Sequence, residues 1–240
     1  MIDPKNYSAI QVCACCGGTE FAFQPVLWPG LISEWGLSDG EAVYVDRQQG
    51  VSCSRCGNTL RSIALAKAVL GACSYNGTFL QLLKSPKTFF FKTLEVNTAG
   101  SLTRQLSKFG KRTLANYPEV DMQKMPYANN SFDFVFHSDT LEHVPDPLSA
   151  LSECLRVLKP GGFCCFTIPI IIGRMTRSRE NLSKSYHGGE NDEKEDYQVQ
   201  TEYGADFWSQ ILQVGFDECR IVTAEFPAAQ AIAARKALNR

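Results

Sequence analysis

The stretch Asp121–Phe163, DMQKMPYANNSFDFVFHSDTLEHVPDPLSALSECLRVLKPGGF, holds a strand, a helix and the start of another strand. Ser131, Phe132 and Asp133 lead into FVFHS (134–138), an apolar and aromatic run of strand character. Pro145, Asp146 and Pro147 open a helix that runs through LSALSECLRVL (148–158), and KPGG stops it. GFCCFTIPI (162–170) is the next strand. A strand, a helix and a strand in that order predict a right-handed crossover between parallel neighbours.

The same alternation extends in both directions. FFFKTLEV (89–96) reads as a strand, 101–109 as a helix ended by Gly110, and 112–116 as a short second strand. Residues 173–200 are polar and aperiodic, a long loop with the character of a lid. An amphipathic helix follows over 205–214, capped by Gly215. CRIVTAEF (219–226) and AAQAIAARK (228–236) are strands separated only by Pro227, too close for a crossover, so they pair antiparallel. Upstream, RSIALAKAVLGAC (61–73) has helical spacing, whereas residues 1–60 are rich in Cys, Gly and Pro and read as loops. The expected organisation is a subdomain over 1–60, a helical connector over 61–88 and an α/β domain over 89–240.

Bulk properties narrow the function. Among 240 residues, 24 are basic and 25 acidic, which gives no electrostatic grip on nucleic acid or on an anionic membrane. The longest apolar run, 163–172, is about half the roughly 20 residues of a spanning helix and contains Pro169. With no basic start followed by an apolar run, a cytoplasmic chain is expected. There, ten cysteines read as thiols or metal ligands rather than disulfides.

Cys13-x2-Cys16 and Cys53-x2-Cys56 are two C-x2-C knuckles, each followed by a glycine, Gly17 and Gly57. Four thiolates of this kind close a tetrahedral zinc shell with no open position, a structural site. Cys15 is a possible exchange partner for Cys16, and a set of buried or redox thiols is the alternative reading. Cys73, Cys154, Cys164, Cys165 and Cys219 fall on helix or strand faces and read as core. Trp28, Leu31, Trp35 and Leu37 either pack on the main domain or line a substrate cleft, with packing favoured.

The S-F-D-x-V pattern at 131–135, the acidic-His pair of LEHV (141–144) and LKPGGF (158–163), in that order, resemble class I S-adenosylmethionine-dependent methyltransferases of the type 11-like group over roughly 89–236. The resemblance implies a doubly wound, mostly parallel, seven-stranded, Rossmann-like sheet with the last strand antiparallel. Added to it is the small N-terminal zinc-binding subdomain. It also implies S-adenosyl-L-methionine as cofactor; a small-molecule acceptor is expected, and the balanced charge argues against nucleic acid or membrane as partner. By that resemblance Glu95 organises the loop after the first strand, where Val96, Asn97, Gly100 and Ser101 follow. Asn97 stands where the family usually has glycine, and Asn116 where it usually has the ribose-binding carboxylate. Tyr117 would stack on adenine, Asp121 would accept from its exocyclic amine, and Met122 would offer a backbone amide. Gln123, His137 and Ser138 complete the cofactor set.

A hydroxyl acceptor benefits from a general base. His137, Asp139, Glu142 and His143 are the candidates at and after the strand at 134–138, with Asp139 and His143 placed toward the cofactor. That Glu142 and His143 only cap and pack the turn is the favoured alternative, and His187 in the 173–200 loop is a second candidate. The leading expectation is methyl transfer to a small-molecule or saccharide-type acceptor. The alternative is a degenerate methyltransferase fold serving as a binding module through its zinc segment, motivated by Asn97 and Asn116. No Asn-Pro-Pro-Tyr signature of base-amino methyltransferases follows the strand at 134–138.

Overall fold

Why the alternation of strands and helices settles into one sheet is visible in a computed structural model of the chain, which describes residues 9–186 and 195–238. The N-terminal part holds β1 (Phe21–Phe23), α1 (Pro29–Glu34), α2 (Asp39–Gly50), β2 (Val51–Cys53), α3 (Leu60–Ala72) and α4 (Phe79–Leu82). The strand–helix alternation follows as β3 (Lys92–Val96), α5 (Thr103–Leu106), β4 (Lys111–Ala115), β5 (Phe132–Ser138), α6 (Pro147–Val157) and β6 (Leu158–Thr167). The chain closes with β7 (Ile170–Ile171), β8 (Arg177–Ser178), β9 (Thr201–Gly204), α7 (Trp208–Gln213), β10 (Glu218–Glu225) and β11 (Ala229–Arg235).

The central sheet has the order β10-β11-β6-β5-β3-β4. Strands β4, β3, β5 and β6 are mutually parallel, and β11 runs antiparallel to both neighbours. Period-two alternation assigns the two faces. Phe134, Phe136, Cys165, Ala231 and Ala233 face one side with α3. Val135, Cys164, Phe166, Ile232 and Ala234 face the other with α6. Helices therefore cover both faces, as in a doubly wound sheet. Chain order reverses between β3 and β5, so a crevice opens outside their carboxyl ends.

Six strands form this sheet among the described residues, one fewer than the expected seven. Residues 116–131 form local turns instead, with Val120 N bonded to Asn116 O and Lys124 N to Asp121 O. Pro118 and Pro126 lack the amide hydrogens a further strand would need there.

The first 60 residues are not simply loops. α2 is a 12-residue helix whose apolar residues form no stripe, which hid it from periodicity. Its signal is a capping box: the Ser38 side chain accepts from Glu41 N and the Glu41 carboxylate accepts from Ser38 N. Ser38→Ala is expected to lower stability by about 1 kcal/mol, read from the urea midpoint. Leu31, Trp35 and Leu37 are buried in one cluster with α3 and the sheet, and Trp28 packs against that cluster. Arg174 clamps this segment to the chain after β7, bonding Glu41 and the Trp35 and Gly36 carbonyls. No helix of the described residues is long and apolar enough to cross a membrane.

Candidate cofactor cavity and thiol cluster

At the crevice between β3 and β5 lies a cavity of about 830 Å³. Val96, Asn97, Asn116, Tyr117, Asp121, Met122, Gln123 and Ser138 line it, together with Asp139 and His143. Of the remaining sequence candidates, Glu95, Gly100, Ser101 and His137 do not line it. His187 lies outside the described residues.

The loops around the cavity are laced together by side chains. Glu95 is fully buried and accepts from Ala99 N (2.9 Å), Thr103 Oγ1 and Arg112 Nη1 (2.6 Å), which fixes the loop after β3. Asn97 sits at φ 54°, a left-handed conformation that asparagine tolerates better than most residues. Its amide donates to Ala115 O (2.7 Å) and its Oδ1 accepts from Tyr117 N (3.0 Å), tying the ends of β3 and β4. Asp121 Oδ1 accepts from Gln123 N (2.8 Å), and Gln123 Oε1 accepts from Asp146 N (3.0 Å) at the start of α6. Ser138 Oγ and Thr167 Oγ1 lie 2.6 Å apart.

His137 is fully buried and stacks on Phe166 with ring centroids 4.4 Å apart. Burial pulls its pKa down to about 3, so the ring is neutral. Among the described residues neither of its ring nitrogens has a hydrogen-bond partner.

Asp139 (φ 51°) forms an ion pair with Arg61 Nη1 and accepts from Gln49 Nε2 at 3.3 Å. Arg61 is itself buried and donates through Nη2 to Gln48 Oε1 at 2.7 Å. Burial, reinforced by Asp139 and opposed by Arg61, holds the Glu142 carboxyl well above the usual carboxylate range. His143 Nδ1 lies 3.0 Å from Gln198 O. A carbonyl can only accept, so Nδ1 carries the hydrogen and Nε2 is the basic nitrogen of the neutral ring. Burial lowers the His143 pKa, while the Gln198 bond works the other way.

Gln49, Thr98, Thr140, Asp196, Tyr197, Gln198 and Gln200 also line the cavity and were not legible as site residues. The capping box that reveals α2 was the available signal for Gln49, which lies near the C-terminal end of that helix. Residues 196–200 sit in the aperiodic loop and carried no local signal.

The thiols of Cys13, Cys16, Cys53 and Cys56 lie within 4.8 Å of one another. Cys13 Sγ is 3.7 Å from Cys56 Sγ, and Cys16 Sγ is 3.6 Å from Cys53 Sγ. Metal–sulfur bonds of about 2.3 Å in a tetrahedron give sulfur–sulfur edges of about 3.8 Å, so the donor set fits zinc. The two knuckles share one backbone pattern. Gly17 N bonds Cys13 O and Gly57 N bonds Cys53 O, while Cys13 N bonds Gly18 O and Cys53 N bonds Asn58 O. Both turns need a left-handed residue, which Gly17 (φ 78°) and Gly57 (φ 72°) supply. Cys15 is buried beside the four; its thiol hydrogen bonds draw Cys13 down to about 7 and Cys56 to about 4.

Residues 70–166 match the family described as "Methyltransferase domain". Cycloartenol-C-24-methyltransferase 1 of Oryza sativa subsp. japonica is 40% identical over 53 residues, 22% of this chain and 15% of that protein. The ubiquinone/menaquinone biosynthesis C-methyltransferase UbiE of Desulfotalea psychrophila is 37% identical over 71 residues, 28% of this chain and 29% of that protein. The matched stretch thus spans less than a third of either curated relative. A solved SAM-dependent methyltransferase of Aquifex aeolicus is similar at 16% identity and a TM-score of 0.40, covering 65% of this chain and 88% of that one.

Proposed function

We propose that the chain is a class I S-adenosylmethionine-dependent methyltransferase that methylates a small-molecule acceptor, of saccharide type, and holds structural zinc on Cys13, Cys16, Cys53 and Cys56; the match of residues 70–166 to the methyltransferase domain supports this reading. The observation that carries this reading is the cavity at the β3–β5 crevice. Its volume falls within the roughly 300–1,000 Å³ of ligand pockets. Its described lining includes Asp121, Asp139 and Asp196 and neither lysine nor arginine, which suits a cationic sulfonium with its ammonium group.

When bound, the cofactor supplies a methyl group made electrophilic by the sulfonium. The protein's part is to bind, orient and dehydrate the reactants. Asp121 would accept from the adenine amine, and Met122 would offer its amide. Asn116 would hold a ribose hydroxyl, with Val96, Asn97, Tyr117, Gln123 and Ser138 shaping the surrounding wall. Glu95, Gly100 and Ser101 would act behind the lining, by fixing the loop after β3. His143, with Nδ1 held by Gln198, would take the acceptor proton at Nε2, and Asp139 faces the same space. His187 is retained as a second base from the 173–200 loop.

The test is calorimetry with S-adenosylhomocysteine. Saturable binding is expected, and its absence would sink the enzyme reading in favour of the binding-module alternative. Asn116→Asp should tighten that binding about tenfold, because a charge-assisted bond replaces a neutral one. With an acceptor in hand, turnover should hold flat down to about pH 6.5 and fall only below it. The reason is that burial keeps the His143 pKa under the ordinary 6.5. If His143→Ala left that profile unchanged, His143 would not be the base.

A further inference from the structure

The thiol cluster and the cavity are joined by short, direct connections, and all of them leave from the Cys53–Cys56 knuckle. Upstream, α2 runs into β2 and hence into Cys53. The last turn of α2 supplies Gln48, which accepts from Arg61, and Gln49, which donates to Asp139 on the loop after β5. Downstream, Asn58 is fully buried and donates through Nδ2 to Cys56 Sγ at 3.4 Å. The Gln105 amide, in the orientation that satisfies its neighbours, accepts from the same Asn58 nitrogen at 3.0 Å. It also donates to the Ser101 and Leu102 carbonyls at 3.2 and 3.3 Å. Thr59 N donates to Ser101 Oγ (3.2 Å), which donates to Ser62 Oγ (2.8 Å).

The two cavity loops held in this way are the ones that follow β3 and β5, on either side of the crevice. We infer that the Cys53–Cys56 knuckle braces the cofactor cavity, so that metal loading and cofactor binding strengthen one another. The inference rests on the zinc and cofactor assignments proposed above. Its physical basis is that without metal nothing draws the four thiolates together, so the knuckle loosens although its apolar packing remains. The last turn of α2 and residues 58–62 would then lose the anchor that sets Asp139 and Ser101. A ligand that needs those loops in place binds the metal-loaded form better, and by linkage it holds the metal in by the same factor.

The test uses the purified full chain and three measurements. Zinc is counted by plasma emission. S-adenosylhomocysteine affinity is measured by calorimetry with and without chelator treatment. Zinc release into a chromophoric chelator is timed with and without saturating S-adenosylhomocysteine. Stripping is expected to weaken nucleoside binding about tenfold, and saturation to slow zinc release about tenfold, within the 5–150-fold of ordinary couplings. The release measurement starts from loaded protein, so it remains informative if the stripped chain unfolds. In Asn58→Ala combined with Gln48→Ala, which leaves the cavity lining intact, zinc stays bound but the effect of saturating S-adenosylhomocysteine on its release falls to within twofold. Zinc release indifferent to S-adenosylhomocysteine, in protein that binds both, overturns the brace and leaves the two sites standing. A chain that binds no zinc, or no S-adenosylhomocysteine, overturns the corresponding assignment and the brace with it.

Discussion

Cys56→Ser is expected to abolish stoichiometric zinc and to lower the urea midpoint of the whole chain. In zinc-finger peptides structural zinc contributes about 10–16 kcal/mol, against a total of about 5–15 kcal/mol for an ordinary domain. Here the knuckles are not alone. Cys13, Cys15 and Cys53 belong to the cluster that holds Leu31, Trp35, Tyr44, α3 and one face of the sheet. That apolar packing survives the substitution, so the expected loss is a fraction of the zinc term, on the order of 3–5 kcal/mol. It should nonetheless be felt beyond the knuckles, because α3 packs on both the knuckle segment and β10, β11 and β6. Cys219→Ser, outside the four thiols and half-buried, is the control and should cost under about 1 kcal/mol. Zinc emission and urea unfolding of the two variants side by side decide the matter. A Cys56→Ser protein with a native midpoint would mean that the thiols are only packed cysteines.

How far this site was readable in the sequence depends on whether its signals are local. β5, α6 and β6 were legible because each carries its own pattern: Phe134 and Phe136 on one face, Val135 on the other. Asp146 caps Leu148 N and Ser149 N just ahead of Pro147. The knuckles were legible because the C-x2-C spacing and the following glycine are the whole of the geometry. Which thiols face each other across the cluster, Cys13 with Cys56 and Cys16 with Cys53, was not, because that depends on how two distant turns dock. Gln49, Arg61 and Gln200 were invisible for the same reason. Each acquires a role only when β5 and the loop after it arrive from far along the chain. The missing strand between β4 and β5 had local warnings in Pro118 and Pro126, which the family expectation of seven strands outweighed.

Arg61→Ala should destabilise the fold by about 3 kcal/mol near neutral pH, and by more as pH rises. Arg61 is buried and forms the ion pair to Asp139, and removing one partner of a buried pair costs about 3–5 kcal/mol. The low end applies because the Asp139 side chain is 23% exposed and water recovers part of the loss. The pH dependence comes from Glu142, which burial and Asp139 hold well above its ordinary 4.5 while Arg61 pulls the other way. A carboxyl with a raised folded pKa keeps its proton in the native state and loses it on unfolding above about pH 4.5. The native state then binds one proton more, and stability falls by up to about 1.4 kcal/mol per pH unit until the folded pKa is reached. Without Arg61 that folded pKa moves higher, so the decline continues further. Urea midpoints of wild type and Arg61→Ala should therefore fall in parallel from pH 5 up to the wild-type folded pKa of Glu142 and diverge above it. Arg61→Lys keeps a charge but cannot bond Asp139 and Gln48 at once as the guanidinium does, so it should recover about half of the difference. A deficit under about 1 kcal/mol that is flat in pH would show that Arg61 neither neutralises Asp139 nor restrains the Glu142 proton.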